Sequence, residues 1–141
     1  IEKVLPFTDL IISDLKMMDS ALHREYTGVD NGLILQNLQR LAQLDRELIL
    51  RIPVIPGVND SRANIEASAD FILTRMGGRV RTLQLLSFMR LGEEKYRSLG
   101  MPYQMSGLRL NRRAFQKQVA QIAAYFNSRG INCLVGTREK E

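Results

Sequence analysis

Apolar residues follow two rhythms along this chain. In four short stretches they run almost unbroken: residues 9–15 (Asp-Leu-Ile-Ile-Ser-Asp-Leu), 48–55 (Leu-Ile-Leu-Arg-Ile-Pro-Val-Ile), 80–86 and 131–135. Runs of this length, rich in β-branched residues, predict strands covered on both faces, as in a parallel sheet. Between them apolar residues recur every three or four positions, the helical rhythm. A short helix starts after Asp19 as N-cap and stops at Thr27-Gly28. A second runs from the Asp30-Asn31-Gly32 turn to about Leu44, with Ile34, Leu38, Leu41 and Ala42 on one stripe. A third is capped by Asp60 or Ser61, buries Ile65, Ala69, Ile72 and Met76, and ends at Gly77-Gly78. Asn111 caps the last, whose apolar face is Phe115, Val119, Ile122 and Phe126 and which Gly130 stops. Pro53 and Pro56 cannot donate to a ladder, so the second strand is near its end or irregular there, and Pro56-Gly57 makes a tight turn. Residues 89–106 show no period and read as a long polar connection, which in a small domain is functional or irregularly packed. The charged tail 137–141 is expected to fray.

The order is β-α-α-β-α-β-loop-α-β, which implies parallel strands joined by right-handed helical crossovers. The fold class is therefore α/β, with parallel strands and flanking helices in one domain, residues 1–141. Four strands, the first lying at the start of the chain, resemble the second half of a larger barrel. Such folds place their sites at the carboxyl ends of the strands. There the first strand carries Asp14 and Lys16, two apart and so on one face, and the second carries Arg51 and Pro53, likewise sharing a face. A carboxylate, an ammonium and a guanidinium on neighbouring strand tips would surround a polar, charged ligand.

Composition narrows the chemistry. With 141 residues, 45% of them hydrophobic, the chain suits one folded domain, and no apolar run approaches the roughly 20 residues of a membrane helix. It begins with Ile1 and has no signal-peptide pattern, which suggests an excised part of a longer protein. Cys133 is the sole cysteine, so no disulfide and no thiolate-only zinc or iron–sulfur site can be built from this chain, and a reducing, cytoplasmic setting is the default. His23 is the sole histidine and reads as a solvent-facing helix residue; Met17 and Met18 read as packing. The net charge of +5 would suit an acidic partner or nucleic acid, but the basic residues look spread along helices among Glu and Asp, and no basic motif is interleaved with aromatics that could stack bases.

Taken in order, the motifs Asp14-Leu15-Lys16, Tyr26-Thr27-Gly28, residues 51–60 (Arg-Ile-Pro-Val-Ile-Pro-Gly-Val-Asn-Asp), Leu85-Leu86-Ser87-Phe88 and Leu91-Gly92-Glu93-Glu94-Lys95-Tyr96 resemble those of the glycyl-radical-enzyme activating enzymes, a branch of the radical S-adenosylmethionine (SAM) superfamily. The resemblance covers most of the chain. It implies the carboxyl-terminal half of a (β/α)6 partial TIM-type barrel. The family's Cys-x3-Cys-x2-Cys loop, which holds a [4Fe-4S] cluster, and its Gly-Gly-Glu motif, which grips the SAM amine, would then lie upstream of this chain. It implies that Asp14 and Lys16 flank the methionine part of SAM, that Asp14 is also a ligand to a monovalent cation, that Arg51 approaches the SAM carboxylate, and that Pro53 packs near the nucleoside. One departure stands out: where many relatives have Pro-Tyr-His after the last barrel strand, this chain has Ser87-Phe88-Met89, and Met89 offers only packing or a weak sulfur contact.

By the same resemblance, the intact protein would cleave SAM reductively and abstract hydrogen from a glycine of a partner glycyl-radical enzyme, pyruvate formate-lyase-like. Flavodoxin or ferredoxin would donate the electron. This chain alone, without cluster ligands, would be inactive, and neither nucleic acid nor membrane would be a partner. Bland readings stand beside this one. Asp14 and Lys16 could be a strand-end ion pair, Arg51 could pair with a nearby carboxylate, and Pro56-Gly57-Val58-Asn59-Asp60 could be only a turn and helix cap. Gly92 to Tyr103 could be an ordinary loop or a contact for a protein partner. Two other functions are open. Lys16 could form a Schiff base in an aldolase or lyase barrel, although the adjacent Asp14 favours its ammonium form. The chain could also be a basic nucleic-acid-binding α/β module. A barrel cut here would leave the first strand with an unpaired edge, and such a chain should self-associate or be less stable than its parent.

Overall fold

The structure, a computed structural model, describes residues 3–137. In chain order the elements are β1 (Leu10–Asp14), α1 (Ser20–Thr27), α2 (Gly32–Ala42), β2 (Glu47–Val54), α3 (Arg62–Asp70), β3 (Thr82–Ser87), α4 (Glu93–Ser98), α5 (Arg112–Ser128) and β4 (Cys133–Val135). A single 3-10 turn, Leu5–Phe7, precedes β1. The four strands form one parallel sheet in the order β1-β2-β3-β4. When sequential strands are laid side by side through crossovers of one hand, every crossover falls on the same side. The core agrees: Leu48, Leu50, Ile52 and Val54 of β2 and Leu83 and Leu85 of β3 pack with Leu38, Leu41, Ile65, Ala69, Phe115, Val119 and Phe126 from the helices. The other face, carrying Ile12, Asp14, Ile49, Arg51, Thr82 and Gln84, is outside this cluster.

Local signals explain most boundaries. Asp19 accepts from the Leu22 N–H, Ser61 from Asn64 and Asn111 from Ala114, so three helices start where a short polar side chain satisfies a free amide. Of the two candidate caps for the third helix the structure selects Ser61; Asp60 instead accepts from Gly57 N–H and from Gln118. Gly28 ends α1 at φ 83°, the left-handed conformation that glycine reaches without strain. The turn before α2 divides its labour: Asp30 accepts from Gly32 N–H, while Asn31 reaches away to the carbonyls of Met17 and Met18.

Some expectations are corrected. The strand over 48–55 spans Glu47–Val54 instead, and Pro53, paired opposite Leu86, lies one residue from its end, where its missing N–H was expected to fall. The helix after Ser61 does not stay α-helical: Phe71–Arg75 is a π turn, marked by Met76 N–H donating to the Phe71 carbonyl five residues back. The stripe nonetheless holds, with Ile65, Ala69, Ile72 and Met76 all buried. The stretch 89–106 contains α4. Residues 138–141 of the tail, and the first two residues, lie outside those described.

Candidate functional site

The carboxyl ends of β1 and β2 are locked in register, with Asp14 opposite Arg51 and Arg51 opposite Gln84 of β3. Paired residues of parallel strands point to one side, so Asp14, Arg51 and Gln84 form a row across the face opposite the helix-packed core. Gln84 is only 2% exposed, and its Oε1 accepts a hydrogen bond from Arg51 Nε at 3.0 Å. That contact fixes the guanidinium plane and leaves its two terminal nitrogens without a partner among the described residues. Arg51 is therefore not paired with a carboxylate. Lys16 follows two residues after Asp14, on the exposed run-out of β1.

Asp14, Lys16 and Arg51 line one cavity of about 720 Å³, together with Ile12, His23 and Thr27. Among the described residues no ion pair joins any two of the three charged groups. Unlike charges that share a cavity without neutralising each other are available to a ligand, and a zwitterionic amino-acid group matches them: carboxylate to Arg51 and Lys16, ammonium to Asp14. The volume lies within the range of pockets for ligands of cofactor size. Pro53 is half-buried on the same face and does not line the cavity.

A second hollow, about 680 Å³, lies at the amino ends of the strands around Asp9, residues 42–48 and 78–81. Its Arg81 and Glu47 are joined at 2.6 Å, and it lies at the end of the sheet opposite to that carrying Asp14, Lys16 and Arg51.

His23 is a correction. It is 3% exposed and forms part of the cavity wall. Its Nδ1 lies 2.7 Å from the Val29 carbonyl, which can only accept, so the ring proton sits on Nδ1. Thr27 Oγ1 lies 3.0 Å from the same nitrogen and donates to the His23 carbonyl. The Tyr26-Thr27-Gly28 stretch is thus folded back around the only imidazole.

Three asparagines hold the strand tips. Asn59, 3% exposed, donates from Nδ2 to the carbonyls of Lys16 and Pro53, at 2.7 and 2.8 Å, and accepts from Ile55 N–H. Asn64 donates to the Asn59 carbonyl and accepts from Met18 N–H. Asn31 adds its two bonds to Met17 and Met18. The chain beyond β1, which carries Lys16, is therefore tied to the end of β2 by side chains more than forty residues away. Sequence reasoning treated Asn59 as part of a turn and did not single out Gln84. The available signal for Gln84 was parity: in Thr82-Leu83-Gln84-Leu85 it shares a face with Thr82, opposite the leucines.

Cys133 is 7% exposed, and burial pushes its thiol up to about 12. A metal-binding cysteine must be a thiolate, so Cys133 is unsuited to a cluster. No group of three or more His, Cys, Asp or Glu side chains able to hold a metal occurs among the described residues, and the monovalent cation expected at Asp14 gains no support from them. No helix among these residues is long and apolar enough to cross a membrane.

No family model matches the chain. It is 61% identical over 140 residues, 99% of its length, to a (2S)-3-sulfopropanediol dehydratase activating enzyme of Klebsiella oxytoca. It is 38% identical over 136 residues, 95% of its length, to a 4-hydroxyphenylacetate decarboxylase activating enzyme of Clostridioides difficile strain CD196. The chain spans 44% of the first relative's length and 41% of the second's. Among solved structures, a domain of pyruvate-formate lyase-activating enzyme from Bacteroides vulgatus ATCC 8482 superposes with a TM-score of 0.70 at 29% identity, covering 96% of this chain and 72% of that one.

Proposed function

This chain is homologous to the activating enzymes of glycyl-radical enzymes over nearly its whole length, and from that premise we propose that it is the carboxyl-terminal part of a radical SAM activase and supplies the amino-acid end of the SAM pocket. The observation that carries this reading is the cavity in which Asp14, Lys16 and Arg51 stand together unpaired. When bound, SAM beside a reduced [4Fe-4S] cluster, with flavodoxin or ferredoxin as electron donor, supplies the chemistry that removes hydrogen from a glycine. The residues here fit SAM and do not fit the cluster, whose ligands belong elsewhere in the protein on this reading.

The work of this chain is binding and orientation. Arg51, steered by Gln84, presents its two terminal nitrogens to a carboxylate, and Lys16 adds a second positive charge at the cavity mouth. Asp14 faces the ammonium group. Ile12, 46% exposed on the same face, gives the apolar floor against which a ligand excludes water. Pro53 extends this face toward the tip of β2, in reach of a nucleoside only if the ligand runs along the strand. A Schiff-base role for Lys16 is less well supported, because an amine of that kind is activated by an apolar, desolvating pocket and Lys16 is exposed.

The partner on this reading is a glycyl-radical enzyme. The 61% relative supports a dehydratase of the sulfopropanediol type over the pyruvate formate-lyase expected from the motifs. The unpaired, buried Cys133 suits a cytoplasmic setting. The test uses the full-length protein, anaerobically reconstituted and reduced. It should release methionine and 5′-deoxyadenosine from SAM and leave a glycyl-radical signal on the dehydratase by electron paramagnetic resonance. Arg51→Gln should weaken SAM binding roughly tenfold or more, read by calorimetry. Intact SAM after reduction, or binding indifferent to Arg51, overturns the proposal.

A further inference from the structure

The net charge is not spread evenly. Residues 89–113 hold six basic side chains (Arg90, Lys95, Arg97, Arg109, Arg112 and Arg113) against two acidic ones, Glu93 and Glu94, so four of the chain's five net positive charges fall in this one segment. The segment leaves the carboxyl end of β3, the end of the sheet that carries Asp14, Lys16 and Arg51. It also exposes large apolar side chains: Met89 at 59%, Leu91 at 79%, Leu99 at 61% and Met101 at 53%. No residue of α4 is buried, so this helix contributes nothing to the core.

The segment is nevertheless held in shape. Arg90 donates to the Leu108 carbonyl, Met101 N–H donates to the Tyr96 carbonyl, and the rings of Tyr96 and Tyr103 meet edge-on at 5.4 Å. At its base Phe88, Met89, Arg90, Leu108, Leu110 and Arg112 enclose a hollow of about 270 Å³, the size for one or two side chains. A surface of Met, Leu and Arg around a small hollow, walled by Phe88, Met89, Leu108 and Leu110 with Arg90 and Arg112 beside them, has the make-up of a protein interface, in which an anchor side chain enters a pocket and charges at the rim set the approach. A surface for single-stranded nucleic acid would use free aromatic faces for stacking, and the two tyrosines here are turned on each other, with two glutamates in the same segment.

We infer that residues 89–113 are the docking surface for the protein substrate, and that the matching surface on the partner is acidic around an apolar anchor. The inference rests on the activase reading above and adds which face the partner takes and with what chemistry. A partner seated here would bring its target segment to the same end of the sheet as the proposed SAM cavity.

The test compares full-length protein with two triple variants, Lys95→Glu/Arg109→Glu/Arg113→Glu and Lys95→Gln/Arg109→Gln/Arg113→Gln. Affinity for purified sulfopropanediol dehydratase is measured at low and high salt, reductive SAM cleavage without partner is followed alongside, and an RNA oligonucleotide serves as a second probe. Charge reversal should slow association roughly tenfold or more at low salt and flatten its salt dependence, with the glutamine set falling between, while partner-free SAM cleavage and the melting temperature stay at the unaltered values. Unchanged affinity for the dehydratase overturns the inference. So does a loss that comes only with a lowered melting temperature, because the surface would then be covered by the protein's own chain, and so does lost RNA binding with dehydratase binding intact. Failure of the activase reading looks different: the unaltered protein would then neither cleave SAM nor bind the dehydratase, and both proposals fall.

Discussion

Asn59 shows how much can rest on one side chain far from any charge. Its buried amide answers two carbonyls and one amide N–H from two stretches of chain, Lys16 beyond β1 and Pro53 and Ile55 at the end of β2. Asn59→Ala should cost about 3 kcal/mol in urea unfolding, because each buried polar group left unpaired costs about 1–3 kcal/mol. Asn59→Asp is the sharper variant: it keeps the shape, but its carboxylate would face the Lys16 and Pro53 carbonyls with no proton to give. It should destabilise at least as much as alanine at neutral pH. A variant as stable as the parent would mean that the strand tips are held some other way. Gln84→Glu should do the opposite to the site. It would turn the Arg51 hydrogen bond into an ion pair, leaving stability near its starting value while SAM affinity drops roughly tenfold. The charged residues of this site were legible in the sequence, because a charge inside an apolar strand needs a reason. The residues that orient them were not. Asn59 lies in a Pro-Gly turn where asparagine is ordinary, and its partners are up to 43 positions away.

At the scale of elements, periodicity carried the fold as far as periodicity reaches. Strands and long helices were visible because each buries a face. The six residues of α4 bury nothing, so no stripe announces them; Glu93 and Glu94 in the first turn and Lys95 and Arg97 in the last were the only signal, one that complements the helix dipole. The π turn at Phe71–Arg75 was invisible for a different reason: one extra residue per turn shifts backbone bonds while leaving Ile72 and Met76 facing the core. β4 gives a prediction with a definite pH sense. Cys133 has a thiol pKa raised by burial from 9.0 to about 12 in the folded state. The unfolded chain therefore releases this proton first as pH rises. The contribution of Cys133 to stability is full below about pH 9 and declines between there and about pH 12. Cys133→Ala should flatten that decline in denaturation curves taken across the alkaline range. In the native protein, alkylation near pH 8.5 should proceed only at the rate at which β4 opens; immediate labelling without loss of structure would contradict the buried thiol.

For the whole molecule the decisive feature is an edge. β1 pairs with β2 on one side and with no other described strand on the other, and Leu10 and Ile12 are 40% and 46% exposed beside that open ladder. Natural sheets blunt such edges with charges, bulges or cover, since a row of free N–H and C=O groups beside apolar side chains templates pairing with another chain. Here the strand reads Leu-Ile-Ile-Ser-Asp, and its one charge is the proposed SAM ligand Asp14 rather than a guard. The relatives are more than twice as long as this chain, which leaves ample sequence in an intact protein to complete the sheet. Two forces then act on the chain when it is prepared alone: lost ladder bonds along β1, and apolar surface returned to water at about 25 cal/mol per Å². Both are relieved by a second copy. The 141-residue chain should therefore run larger than its 16.1 kDa monomer in light scattering, with a melting temperature that rises with concentration. Ile12→Lys places a charge on the edge without touching the helix-covered core, and should shift the population to monomer. If the unaltered chain is monomeric at all concentrations and melts independently of them, the edge is not a liability, and the view of this sheet as part of a wider one loses its energetic support.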